Sequence, residues 1–301
     1  MSSGSAEPSA RPLPKGGQSL TAGDRRRGRH FTAVIADAGI VAVLVWTFFP
    51  VFWLFMTSIK TQQDAFAFPP KFIFIPTLDA YRRLLSDEAG FHWPRYWFNS
   101  MFVAVTSTLL SLALGIPAAY GFTRFRFRRK ALALFGILSV RFMPPIITVI
   151  PLYFLMQYLY LIDTRTALIL VYAAAELPFV VWIMQGFFAA VPVELVEAAV
   201  VDGATELFAL WRVVLPIATP GVVATALFSM LLSWNEFPIA LVLTGENAKT
   251  IPVAATTLIA ERTIYWDRVS ATGVLAMVPT LLIAFLIQRH LVRGLAAGAI
   301  R

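Results

Sequence analysis

The sequence predicts an all-α integral membrane protein: six transmembrane helices, with one polar-edged interruption between the fourth and the fifth. Three observations carry this. Apolar runs long enough to cross a bilayer, about 20 residues each, recur about six times. Charged residues make up only 14% of the 301, against roughly a quarter in soluble domains. The charges that remain gather beside the ends of the apolar runs.

The runs span Val34–Met56, Phe98–Phe122, Ala131–Tyr158, Ala167–Phe188, Val222–Leu243 and Val274–Ile287, the last extendable upstream through Ala271. The first exceeds the ~7–15-residue apolar core of a signal peptide and has no small-residue cleavage site after it, so it reads as a retained span. Residues 1–30, rich in Ser, Gly, Pro and Arg, read as a disordered tail. Between the first two spans, Pro69–Pro76 forbids a regular helix. Thr77 is then placed to cap a short helix over Leu78–Leu85, with Asp79 near its positive end. In the second span Ala113, Gly115, Ala118, Ala119 and Gly121 permit close helix approach, and Pro117 predicts a kink. Pro144, Pro145 and Pro151 predict a bent third span, tolerable in a membrane where it faces an interior cavity.

The net charge of +8 is a topology signal and not a nucleic-acid footprint. Arg25, Arg26, Arg27 and Arg29 precede the first span; Arg124, Arg126, Arg128, Arg129 and Lys130 separate the second and third; Arg289 and Arg293 follow the sixth. Placing all three groups in the cytoplasm puts both termini inside, with an even number of crossings. Arg82, Arg83 and Arg95 run against the rule, but they lie in a long loop where charge bias counts less. The absence of cysteine excludes disulfide and thiolate chemistry. His30, His92 and His290 are too scattered for a metal site. No Walker-type phosphate loop occurs, since GENAKT at 245–250 lacks the spacing and the second glycine. No nucleophile–base cluster suggests an enzyme.

Polar residues inside the apolar runs are costly and mark function. Arg141 lies in the third run, Glu176 in the fourth, and Trp234, Asn235 and Glu236 interrupt the fifth. These five are the candidate lining of a solute pathway, with Arg141 and Glu176 pairing across two helices. A static ion pair that only fixes packing is the plainer alternative. Trp234 offers an aromatic face for a sugar ring, or alternatively an interfacial anchor.

The interruption reads EAAVVDGATELFALWRVVLP over 197–216. Pro192 suits the first turn of a helix, and Glu194 and Glu197 favour its positive end. Asp202–Gly203 marks a sharp turn. Thr205 caps a second short helix through Phe208 and Trp211, ending at Pro216. Arg212 alone stands against Glu194, Glu197, Asp202 and Glu206. Such an acidic face suits a basic protein groove better than anionic lipid.

This segment resembles the cytoplasmic coupling loop of permease subunits of ATP-binding-cassette importers. In that pattern Glu-Ala-Ala is followed by Gly and then Ile-x-Leu-Pro; here Glu197, Ala198, Ala199, Gly203, Leu215 and Pro216 fall in register, with Val213 at the Ile position. PTLDAYRRLL (76–85), AAYGFTRFRFRRK (118–130) and WNEF (234–237) resemble other segments of carbohydrate permeases of the maltose-transporter type. RFMPPIITVIPLYFL and AELPFVVWIMQGFF look closest to members handling mannitol, sorbitol or trehalose, which carry Asn where this chain has Glu176. The resemblance implies a type-1 permease domain over 98–292 containing the coupling loop 192–217, preceded by the first span and loop at 31–97 and followed by a cytoplasmic end at 293–301. It implies that Glu197, Ala198, Ala199, Asp202, Gly203, Leu215 and Pro216 couple to an ATPase. It also implies a second permease, two ATP-binding subunits and an external solute-binding protein as partners, in the inner membrane. This chain would then bind no cofactor, ATP and Mg being used by the ATPase. An ion-coupled secondary transporter using Arg141, Glu176 and Glu236 is the alternative, weakened by the absence of visible internal repeats.

Overall fold

A computed structural model of the protein describes residues 22–86, 91–259 and 264–298. The helices are α1 (Ala22–Ser58), α2 (Gln62–Ala65), α3 (Asp79–Leu85), α4 (Trp93–Arg124), α5 (Lys130–Ser139), α6 (Pro145–Tyr158) and α7 (Arg165–Ala189), followed by α8 (Val193–Val201), α9 (Glu206–Ala209), α10 (Leu215–Ile217), α11 (Thr219–Trp234), α12 (Pro238–Leu243), α13 (Ile251–Thr257) and α14 (Trp266–Gly298). Among the described residues the only β-type pairing is an isolated bridge, Ile259 to Ile264. The all-α expectation holds.

Among the described residues four helices are long and apolar enough to cross a membrane: Ala36–Ser58, Trp93–Arg124, Arg165–Ala189 and Trp266–Leu286. Two bent pairs, Lys130–Phe142 with Ile146–Tyr158 and Glu206–Ile217 with Thr219–Trp234, raise the number to six if each is one span. The first pair bends by 93°, at Met143–Pro144. Pro144 cannot donate to the preceding turn and Pro145 opens the next helix, so this pair breaks the run more sharply than a kink, while Pro151 lies inside α6. The expected fifth run, Val222–Leu243, is not one helix. α11 ends at Trp234, and α12 begins at Pro238, because Pro238 disfavours helical backbone at Phe237.

The chain divides into two units, at Trp53/Leu54. The first lies within α1 as far as it is described, with apolar side chains such as Trp46 and Val43 exposed. Helix already runs from Ala22, so residues 22–30, with an arginine cluster of good helix propensity, are helical where a disordered tail was expected; the rest of that expectation, over 1–21, lies outside the described residues. The helix α14 likewise starts earlier and ends later than the run Val274–Ile287, reaching Gly298 within the region 293–301 expected to be a C-terminal end.

In the second unit α4 and α7 form the central pair. A Cβ added at Gly115 would approach Val180 Cγ1 to 2.5 Å, so glycine is what lets these two helices touch. Leu112, Ile116, Val180, Val181 and Met184 pack between them, and α11 completes a three-helix core. Thr77 Oγ1 accepts from the backbone N–H of Asp79 at 3.1 Å, but α3 begins at Asp79 with Leu78, not Thr77, in the capping position.

Candidate functional site

The segment 192–217 forms an elbow at one end of this core. α8 follows Pro192, and Gly203, with φ +92°, turns the chain out of it. Left-handed backbone costs a residue with Cβ about 1–2 kcal/mol, which explains glycine here. Thr205 then caps α9, its hydroxyl accepting from the N–H of Phe208 at 3.2 Å. Pro216 does not end this helix as expected. Leu210–Val214 widens into a π-helical turn, which accommodates the missing N–H and the ring of Pro216. The chain instead breaks at Ala218, where 206–217 meets α11 at 82°.

Burial divides the elbow into two faces. Val196, Ala209, Leu210 and Val214 are buried against Ile116, Tyr120 and Phe188 of α4 and α7. Glu194, Glu197, Ala198, Asp202 and Gly203 are exposed, and so is Val201, at 86%. Of the sequence-predicted residues Glu197, Ala198, Asp202, Gly203 and Pro216 are open and Ala199 and Leu215 partly covered, and the elbow's exposed surface also carries Leu195, Val201, Leu207, Phe208 and Trp211. One side chain ties the elbow to a span that it does not directly continue: Tyr120 Oη donates to Glu206 Oε2 at 2.7 Å.

The intramembrane residues part company. Glu176 is 3% exposed. Its carboxylate accepts from Ser111 Oγ at 3.1 Å and from Ser233 Oγ, and Ser233 is in turn bonded to Ser107 at 2.8 Å. It thus joins α4, α7 and α11. The expected ion pair with Arg141 is not formed among the described residues: Arg141 is exposed beside the 93° break. Trp234, 3% exposed, donates its indole N–H to Ala276 O at 3.2 Å and meets Trp97 edge-on. It packs between α11, α14 and α4, and no ring face is left for a sugar to stack on. Asn235 is exposed, and Glu236 Oε1 accepts from the N–H of Ile239 at 3.1 Å, opening α12.

The other end of α4 carries a network that sequence reasoning missed. Asp163, itself left-handed at φ 56°, accepts from the N–H groups of Gly245 at 2.8 Å, Asn247 at 3.0 Å and Ala248 at 2.9 Å, and from Asn247 Nδ2 at 3.0 Å. Burial raises its carboxyl pKa, but the bonds from Ala248, Asn247 and Gly245 outweigh it and hold the group below the usual carboxylate range. Asn99 Nδ2 donates to the carbonyls of Asn247 and Lys249 at 3.0 and 2.9 Å, and Asn99 Oδ1 accepts from Arg165 Nε at 2.7 Å. Ser100 Oγ accepts from the N–H of Ile251 at 2.8 Å. The available signal was a polar pair, Asn99–Ser100, at the head of an apolar run, opposite a polar loop at 245–250.

Residues 111–297 match the profile of the binding-protein-dependent transport system inner membrane component. The chain is 36% identical over 253 residues to a probable ABC transporter permease protein, y4oR, of Sinorhizobium fredii, covering 84% of this chain and 90% of that one. It is 32% identical over 270 residues to the trehalose/maltose transport system permease protein MalG of Thermococcus litoralis, covering 89% and 96%. A bacterial ABC transporter involved in the import of the acidic polysaccharide alginate has a chain with the same fold, with a TM-score of 0.71, 23% identity, and coverage of 90% of this chain and 98% of that one. The chain belongs to the family of binding-protein-dependent transport system inner membrane components, the permease subunits of ABC importers.

Proposed function

We propose that this chain is the membrane-spanning permease of a carbohydrate importer and that it translocates a sugar or polyol such as trehalose, mannitol or sorbitol. The supporting observation is the elbow: an exposed acidic face, with Ala198 and Gly203 leaving room for a partner surface, standing on a buried apolar heel. The partner is an ATP-hydrolysing subunit. The relative MalG, named for trehalose and maltose, supports the sugar class. In this reading the elbow and both termini lie in the cytoplasm, as the basic residues flanking the spans favour. The assembly is completed by a second permease, a second ATPase subunit and an external solute-binding protein. This chain performs no catalysis and binds no cofactor; ATP and Mg belong to the ATPase.

Solute passes where helices are discontinuous, since unwound backbone offers polar groups at membrane depth. Among the described residues two such breaks lie inside the apolar runs, Met143–Pro144 and 235–237. Arg141, Asn235 and Glu236 beside them border the route. Glu176 and Trp234 stand behind it and hold the helices that form it.

The test is crosslinking from Ala198→Cys and Gly203→Cys in the assembled transporter, together with ATP hydrolysis stimulated by a candidate binding protein loaded with trehalose, maltose, mannitol or sorbitol. Crosslinks to the ATPase and stimulation by one of these solutes are expected. An elbow that never reaches a nucleotide-hydrolysing subunit would refute the reading.

A further inference from the structure

We infer that the Tyr120–Glu206 hydrogen bond is the positioning link that makes the elbow and α4 move as one body. The inference rests on the reading of the elbow as the ATPase dock and adds to it how that dock is joined to the spans.

The elbow meets the core in two ways. Val196, Ala209, Leu210 and Val214 press against α4 and α7, but apolar burial is non-directional and tolerates sliding. Direction comes from one polar contact, the 2.7 Å bond from Tyr120 Oη to Glu206 Oε2. Hydroxyl-to-carboxylate bonds are short and roughly twice as strong as neutral ones. Among the described residues it is the one side-chain hydrogen bond between the elbow and a span that it does not continue.

Both partners are held in place. The Tyr120 ring is 6% exposed and stands edge-on to Phe188, at 6.1 Å and 86°. Glu206 sits in the first turn of α9, directly after the Thr205 cap, so it is fixed to the backbone that leaves the Gly203 turn. Beside the bond lies a cleft of about 380 Å³, lined by Tyr120, Arg124, Val193, Val196 and Val214 among others. Packing there is incomplete, which leaves the elbow room to rock against α4 unless Tyr120 holds it. Further along α4, Ser107 and Ser111 join the Glu176 cluster, so displacement of α4 reaches α7 and α11 through bonded side chains.

The chain contains no cysteine, so spin labels at Val201→Cys and Leu109→Cys are unique to it; both positions are exposed, at 86% and 61%. The experiment measures the distance between them by pulsed electron resonance in the assembled transporter, nucleotide-free and trapped with ATP and vanadate. With Tyr120 present the distance is expected to be equal in the two states. In Tyr120→Phe, which removes only the hydroxyl, it is expected to change between states by about 2–5 Å, the scale of helix shifts and one-turn slips. Glu206→Ala should behave likewise, whereas Glu206→Gln, which keeps an acceptor, should restore the equal distance. A Tyr120→Phe transporter with one unchanged distance in both states overturns the link. The underlying reading fails separately, by absence of crosslinks from Ala198→Cys to the ATPase in the otherwise unaltered protein.

Discussion

Asn99 and Tyr120 lie on the same helix, roughly 30 Å apart along its axis at 1.5 Å per residue. Around Asn99 and its neighbour Asp163, side chains and backbone from α4, the 159–164 link and the 244–250 loop are bonded many times over, with Asp163 alone receiving N–H groups from three residues. Around Tyr120 a single bond to Glu206 and an apolar heel hold the elbow, with a cleft left open beside it. The first arrangement suits a rim that keeps its shape. The second suits a part that must engage another protein and be moved by it. Dense polar fastening and sparse fastening on one helix thus separate what is held from what is driven.

The largest expected effect tests the rigid rim. Asp163→Ala removes the acceptor of several N–H groups, each costing about 1–3 kcal/mol if left unsatisfied and less where water reaches it. A loss of about 3 kcal/mol is expected, read as a lowered unfolding midpoint in detergent; an unchanged midpoint would break the contrast. The same carboxylate sets a pH dependence. Its folded pKa is depressed, so its contribution is fully present above the unfolded value of about 3.9 and is lost as pH falls through the folded value. Acid should therefore destabilise the native protein more than Asp163→Asn, whose midpoint lacks this component.

A smaller effect is expected midway along α4. Glu176→Ala takes from Ser111 and Ser233 the acceptor they share, leaving them the carbonyl of Thr108 and the hydroxyl of Ser107, and should cost about 2 kcal/mol, with Glu176→Gln recovering much of it. The smallest belongs to the elbow. Thr205→Ala removes a cap worth about 1 kcal/mol. Faster amide exchange over 206–209 is expected, with the global midpoint nearly unmoved. A global loss as large as that of Asp163→Ala would mean that the elbow is as firmly built as the rim.

Much of this was legible in the residues. Gly203 and Thr205 each forced the local conformation expected of them, because a positive φ and a hydroxyl cap act over a few residues; Pro192 stands one position ahead of α8, in the capping position and not in its first turn. Apolar run length likewise located the long helices. What escaped was set by partners distant in sequence. Glu176 looked like a partner for Arg141, but two serines on other helices satisfy it. Trp234 looked like a sugar platform, but its indole is committed to Ala276. The Asp163 and Asn99 network depends on which loops meet, and periodicity carries no information about that.

Asn99 bonds to carbonyls about 150 positions further along the chain, and this has a bearing on biogenesis. Synthesis runs from the N-terminus at roughly 5–20 residues per second, so α4 exists for many seconds before residues 247 and 249 have emerged. During that interval the Asn99 amide N–H groups lack their final acceptors, although Arg165 can already donate to Asn99 Oδ1. The rim can close once the 244–250 loop arrives, while α14 is still to be made, so its clasp forms ahead of that last described span.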